Sequence, residues 1–374
     1  MTAIRHFSTA LAVLPLVLAA APAEYILYVG TYTRGESKGI YAWRFQAAKG
    51  EFTSIGLVAE TPNPSFLAIH PNRKYLYAVS ERQGGAVSAF SIDAKTARLS
   101  PLNTVSSRGG GPCYVSIDKA GKTVFAANYG SGSVAALPIQ DDGRLGEASG
   151  FAQHAGSGAD PKRQQGPHAH WIQASADNRF AVATDLGLDQ VLIYRFDAAK
   201  GTLAPHDPPF AKVNNGAGPR HFAFHPSDRF AYVINELQNT VTVFAWDAKR
   251  GALKDLQTIT TLPAGYATET YTAEVAVHPS GRFLYGSNRG HDSIAVFSID
   301  PRQGTLASVE ITPTQGKFPR NFVIDPTGAY VLVANMNSNH IVVFRIDPKT
   351  GRLTATGQVL AAYAPVCLRF MAAE

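Results

Sequence analysis

A proline-centred tight turn recurs along this chain and constrains the fold more than any other feature. It reads His70-Pro71-Asn72-Arg73, His225-Pro226-Ser227-Asp228-Arg229, His278-Pro279-Ser280-Gly281-Arg282 and Asp325-Pro326-Thr327-Gly328, with proline-free copies at Asp118-Lys119-Ala120-Gly121 and Ser175-Ala176-Asp177-Asn178. Each turn separates two short apolar runs. Nine residues past the second turn position the second run closes on a small polar residue: Ser80, Asn128, Asp185, Asn235, Asn288 or Asn335. A further strand ends in register at Trp43, Phe90, Leu137, Tyr194, Phe244, Phe297 and Phe344, at intervals of 47 to 57 residues. A period near 50 with several short alternating strands per unit marks propeller blades, and helical periodicity is absent almost throughout. The expectation is an all-β, seven-bladed β-propeller.

The repeat is out of phase with the chain ends. Leu27-Tyr28-Val29 matches the second strand of a unit, as in Leu76-Tyr77-Ala78, so the first blade lacks its innermost strand. Pro365-Val366-Cys367-Leu368-Arg369-Phe370 matches the first strand of a unit and is followed by no second. Pairing the C-terminal strand with the N-terminal blade closes the ring and removes the open edges that template aggregation.

Residues 1–23 differ in kind, with Arg5 ahead of an apolar stretch from Ala10 to Ala20 and then Ala21-Pro22-Ala23. This reads as a secretory leader with an Ala-x-Ala cleavage site, and the stretch is short for a membrane span of about 20 residues. The expected organisation is a signal peptide over 1–23 and a propeller over 24–374. The protein is then exported, periplasmic or secreted, without a membrane span after cleavage.

The 33 Gly and 23 Pro suit the many turns of an all-β chain. A net charge of +6 comes without any basic run or Lys/Arg stripe interleaved with aromatics, so nucleic acid is set aside as a partner. Two cysteines, Cys113 and Cys367, fall near the starts of innermost strands in separate blades. They form either two buried thiols or a bridge across the channel mouth, and no CxxC spacing suggests zinc.

Plotting polar residues on the repeat isolates a site. The residue opening the first strand reads Ser65, Cys113, His170, Arg220, Ala273 and Arg320 in blades 2 to 7. The residue just after the second strand reads Glu81, Tyr129, Leu186, Glu236, Arg289 and Met336. Hairpin geometry brings both positions to one end, where they form two rings at a channel mouth. Repeated charge there is a poor structural choice unless paired or functional. Its focus in blades 4 to 7, with Asn128, Asn235 and Asn288 nearby, suggests a binding site. His168 and His170 alternate on a strand and imitate a metal pair, but no third ligand matches them. His70, His225 and His278 recur with the turn and are expected to cap hairpins at the opposite face. Glu274 points away from the ring unless a bulge returns it.

With these residues in place, the chain from about Tyr25 to Phe370 resembles the bacterial 6-phosphogluconolactonase/lactonase propeller family, relatives of carboxymuconate lactonizing enzyme. The resembling segments are Tyr28-Val29-Gly30-Thr31-Tyr32, Gly166-Pro167-His168-Ala169-His170, Asp185-Leu186-Gly187-Leu188-Asp189, Gly218-Pro219-Arg220-His221, Asn235-Glu236-Leu237 and Ser287-Asn288-Arg289-Gly290. The resemblance implies a metal-free, cofactor-free lactonase with His170, Arg220 and Glu236 as its catalytic set. Arg289, Arg320, Asn128, Asn235 and Asn288 are then candidate substrate contacts.

The implied substrate is a small anionic or sugar-like lactone, and a monomer is expected. No Gly-x-Ser-x-Gly elbow is present, so no covalent acyl intermediate is expected. Between Glu236 and His170 as base, His170 is favoured, because flanking Arg groups lower a carboxylate's proton affinity. Two alternatives stand beside hydrolysis: a muconate-type cycloisomerase, and a non-catalytic surface-layer repeat propeller, which Tyr232-Val233-Ile234-Asn235 resembles.

Overall fold

The computed structural model describes residues 24–373, and the expected leader over 1–23 lies outside them. Seven four-stranded antiparallel sheets make up the described residues. Blade 4 is typical, running Ala169–Ala174, Phe180–Asp185, Gln190–Asp197 and Thr202–Lys212 from the inside outward. Blade 5 repeats it with Pro219–Phe224, Phe230–Asn235, Thr240–Asp247 and Ala252–Thr260.

The ring closes as the chain ends require. Pro365–Ala372 pairs antiparallel with Glu24–Thr31, from Tyr25 opposite Ala372 to Thr31 opposite Pro365, and joins Gly39–Gln46 and Glu51–Glu60 in blade 1. The Ala373 amide donates to the Glu24 carbonyl at 3.0 Å.

The recurring turn ties each blade to the next. Nε2 of His70, His225 and His278 lies 2.8 to 2.9 Å from the carbonyl of Gly121, Gly281 and Gly328 in the following blade's turn. Gly281 has a φ of +71°, and a Cβ there would fall 2.8 Å from His225 Nε2, so the turn needs glycine for both conformation and space. Asp118 and Asp325, at the same place without histidine, accept their own turn's amides, and Asp118 also takes Asn178 Nδ2 of the following turn at 2.6 Å. These residues are turn fixtures, in keeping with their expected role. Between blades, the buried hydroxyls of Tyr77, Tyr232 and Tyr285 donate to the carbonyls of Gly143, Gly304 and Gly351.

One regularity departs from simple alternation. At the start of the innermost strand the ladder skips a residue, with shifts spanning Pro112/Tyr114, Ala169/Trp171, Pro219/His221, Thr272/Val275 and Pro319/Asn321. The shift in blade 1 passes over Val366. The skipped residues are Cys113, His170, Arg220, the Ala273-Glu274 pair, Arg320 and Val366, so the opening position is a β-bulge, which re-aims a side chain out of the pleat. Val366 rather than Cys367 shares the place of Cys113. Both cysteines are buried and free, so no bridge crosses the mouth.

Candidate active site

Behind each opening residue lies a backbone hub. Asn63, Gly111, His168, Gly218, Phe318 and Ala364 each offer a carbonyl to the amide of the residue after the second strand. These amides belong to Glu81, Tyr129, Leu186, Glu236, Met336 and Tyr32, at 2.7 to 3.1 Å. The contact forces the two rings together. Gly218 has a φ of +66°, and a Cβ there would meet Leu237 Cγ at 2.7 Å.

The rings enclose a cavity of about 240 Å³ lined by Tyr32, Glu81, Cys113, Tyr129, Arg163, His170, Glu236, Arg289 and Arg320. A larger surface depression of about 760 Å³ lies at the rim of blades 4 and 5 among Arg179, Arg195, His206 and Arg250. Arg179 there is already engaged by Asp177 and the Ala248 carbonyl, so the concentration of buried, mutually perturbed groups is at the mouth.

Glu236 organises that mouth. Its Oε2 accepts from Arg220 Nε at 3.0 Å and Arg289 Nη2 at 2.6 Å, and its Oε1 accepts from Arg163 Nη2 at 2.7 Å. Burial alone would raise its pKa, but Arg289, Arg220 and Arg163 hold it far below the ordinary carboxylate range. It is a fixed anion whose two oxygens are already taken by guanidinium donors, and that occupation leaves it a poor base. Arg220 continues to the Ala273 carbonyl and Arg289 to the Thr272 carbonyl, each at 2.7 Å.

His170 is buried among Cys113, Tyr129 and His221. Its Nδ1 lies 3.6 Å from Cys113 Sγ, and its ring meets those of Tyr129 and His221 edge-on at 5.5 and 5.0 Å. Burial, reinforced by Arg220, His221 and Arg320, pushes its pKa well below the usual histidine value. His170 is therefore a neutral imidazole at pH 7. Across the wall, the Tyr32 hydroxyl donates to both oxygens of Glu81 at 2.9 to 3.0 Å. Arg320 lies 5.5 Å over the Tyr32 ring. Burial works against its charge, but Tyr32, Glu81, Cys113 and Glu236 more than offset that, so it stays a cation.

Below the mouth the channel is plugged. His221 Nδ1 bonds Glu274 Oε1 at 2.9 Å, Asn321 donates to Glu274 Oε2, and Phe66 and Tyr114 pack against the His221 ring. The bulge in blade 6 has returned Glu274 to the channel, against simple alternation.

Other expectations need correcting. Arg220 is not part of the cavity wall; it is almost wholly buried behind Glu236, its Nε and Nη1 committed. The cations facing the cavity are Arg163, Arg289 and Arg320. Asn128, Asn235 and Asn288 do not contact the cavity either, being fully buried. The Asn128 amide donates to Ser107 O and Ser133 Oγ, that of Asn235 to Thr240 and Thr242, and that of Asn288 to Thr261 O and Ser293. They lie one residue before the second ring and so on the opposite side of the strand, where they clasp the outer strands. His168 does not pair with His170 as a ligand: its Nδ1 lies 2.9 Å from the Tyr129 carbonyl and its ring stacks on Tyr129. Among the described residues no group of three or more His, Cys, Asp and Glu is placed to hold a metal ion.

Two wall residues escaped the repeat plot. Tyr32 is blade 1's member of the second ring, following Thr31, and the missing first strand hid it. Arg163 lies in the irregular segment between Gly150–Gln153 and Ala169–Ala174. The longest inter-blade interval, 57 residues from Leu137 to Tyr194, was its only signal. Glu81 stood in the ring but was not singled out.

The chain matches the family described as "Lactonase, 7-bladed beta-propeller" over residues 26–370. It is 37% identical over 350 residues to the 6-phosphogluconolactonase of Bacillus subtilis (strain 168), covering 93% of this chain and 99% of that relative. The 6-phosphogluconolactonase of Formosa agariphila is 35% identical, over 80% of this chain and 86% of that one. The structure of the periplasmic gluconolactonase of Pseudomonas aeruginosa superposes with a TM-score of 0.89 at 37% identity, covering 94% of this chain and all of that one. With its seven blades, closing strand and matching length, this chain belongs to the seven-bladed β-propeller lactonase family.

Proposed function

We propose that the protein hydrolyses a small anionic or polyhydroxylated lactone in the mouth cavity, with His170 as general base. The observation that carries this reading is a neutral, buried imidazole sharing one 240 Å³ cavity with three guanidinium groups, Arg163, Arg289 and Arg320. Ester-ring opening needs a proton acceptor for water and cations where negative charge develops.

His170 takes a proton from water as the water oxygen bonds to the carbonyl carbon, and the C=O electron pair moves onto oxygen facing Arg289 and Arg320. Collapse re-forms the carbonyl and breaks the ring C–O bond. The leaving ring oxygen takes the proton back from His170, whose surroundings make its imidazolium a strong acid. The product is the open hydroxy acid, and no metal or cofactor enters the scheme. Glu236, fixed as an anion, holds Arg163 and Arg289 at the wall, and Arg220 anchors Glu236 from behind.

A non-catalytic propeller of the surface-layer repeat type would have near-identical blades, whereas the opening position here carries Cys, His, Arg, Ala, Arg, Val and Ser. A cycloisomerase would run ring closure with the same groups and is separated by assay direction. A cleaved leader over 1–23 would put this activity outside the cytoplasm, and that favours a free sugar lactone over a phosphorylated cytoplasmic metabolite as substrate.

The test is acid release from a panel of sugar and simple lactones by the mature protein, with and without a chelator. His170→Ala is expected to lower turnover about 10²- to 10⁴-fold. His225→Ala, whose ring sits in a turn, should leave it nearly intact. A parent protein that opens none of the lactones, or a fully active His170→Ala, overturns the reading.

A further inference from the structure

We infer that Asp189, outside the cavity, is a positioning residue that sets both Arg163 and Arg220 against Glu236; this rests on the lactonase reading of that cavity. Asp189 occupies the hairpin residue just before the third strand of blade 4, in a left-handed conformation with φ of 56°. Asn239, Asp292 and Asn339 hold the same place in blades 5 to 7, with φ of 54°, 55° and 54°. In all four the backbone carbonyl accepts the amide that ends the outer strand, from Val213, Thr261, Thr314 and Ala362. In three the side chain also reaches the hub of the next blade: Asp189 Oδ1 accepts from Gly218 N at 2.8 Å, Asp292 from Phe318 N at 2.7 Å, and Asn339 from Ala364 N at 2.9 Å.

Asp292 gathers three donors as well, Gly290 N, Phe318 N and the exposed Lys317 Nζ, but Asp189 alone among the four draws one from the irregular segment that carries Arg163. Asp189 Oδ2 accepts from Gly216 N at 2.6 Å, and its Oδ1 also accepts from Gln164 Nε2 at 2.7 Å. Gln164 precedes the cavity segment's return to blade 4 and adjoins Arg163. Gly218 lies two residues before Arg220, and its carbonyl accepts the Glu236 amide at 2.7 Å. One buried carboxylate thus gathers three N–H donors from two separate loops, and those loops deliver two of the three guanidiniums on Glu236. Only a group with two anionic oxygens satisfies all three donors at once. An amide can replace one oxygen but turns N–H toward the remaining donors.

Three variants separate this role from simple hairpin stability. Asp189→Asn keeps a residue that Asn239 and Asn339 show to be accepted in this conformation, so it is expected to fold. Asp189→Ala and Asp118→Ala form a matched pair: each removes a buried carboxylate that gathers several N–H donors, but Asp118 serves a turn at the opposite face, with Lys122, Thr123 and Asn178 as its donors.

On the lactone that the parent opens, kcat/KM should fall about 10²-fold for Asp189→Ala, the scale of an ångström-sized misplacement. It should fall at least tenfold for Asp189→Asn and less than twofold for Asp118→Ala, at comparable melting temperatures for the matched pair. Amide hydrogen exchange provides a readout independent of activity. Both Asp189 variants should speed exchange in 160–168 and 213–219 together, and Asp118→Ala only near 118–123 and Asn178. Equal kinetic losses in the matched pair, or exchange in 160–168 unchanged in both Asp189 variants, overturns the inference even if the parent is a lactonase. If the parent opens no lactone, the functional reading fails, and the exchange result still decides whether Asp189 couples the two loops.

Discussion

Replacing Glu236 with glutamine should cost far more than a surface ion pair does. The side chains of Glu236, Arg220 and Arg289 are 7%, 2% and 7% exposed, so the substitution leaves two guanidiniums in the interior without a counter-charge. Breaking a buried pair from one side costs about 3–5 kcal/mol. With roughly 350 ordered residues and about 2.1 cal/mol/K of unfolding entropy per residue, the entropy at the midpoint is about 0.7 kcal/mol/K. The expected fall in Tm is therefore about 4–7 °C. Arg163 is one-third exposed, and Arg163→Ala should lower Tm by no more than about 1–2 °C. Calorimetry at pH 7 in low and high salt measures both, and the Glu236→Gln loss should persist in salt because the pair is buried. Arg220→Met added to Glu236→Gln should recover part of the loss by removing an uncompensated buried charge. A Glu236→Gln protein melting within a degree of the parent would refute the view that this carboxylate is the counter-ion of a buried cluster.

Acid should weaken the fold before ordinary carboxylates titrate. Burial, partly opposed by Glu274, pulls His221 down to about 4, so between about pH 6.5 and 4 the unfolded chain binds a proton there that the folded chain does not. Stability should drop over that window by on the order of 3 kcal/mol. His221→Gln should flatten the dependence of Tm on pH there, and an unchanged slope counts against the assignment. Separately, expression of the full chain in a bacterium should yield exported protein beginning at Glu24, read by intact mass; a mature pool retaining Met1 or Thr2 removes the leader.

The blade count, the closing strand and the two rings were legible because each depends on local turn chemistry and a fixed spacing. Pro326-Thr327-Gly328 and His278-Pro279 can hardly serve anything but a hairpin, and register follows from the hairpin. The direction of individual side chains was less legible. Arg220 holds the expected ring position but turns behind Glu236, and Asn128, Asn235 and Asn288 end their strands facing the blade interior. Strict alternation misplaced Glu274 because two bulge residues precede Val275. Arg163 had no repeat to predict it: its position depends on Asp160, Gln164 and Asp189 closing an irregular segment through long-range contacts.

The bulges at the strand openings also bear on how such a protein can change. A residue inserted between two ladder positions has no partner on the one strand its own strand pairs with, so its identity is uncoupled from the alternation that buries the blade. Cys113, His170, Arg220, Arg320 and Val366 thus occupy one geometric slot while differing in size, charge and reactivity. A substitution at that slot leaves the blade's ladder and alternation as they are, so its cost is set by the partners of the side chain itself, and it is large at Arg220, which shares the buried charge cluster of Glu236.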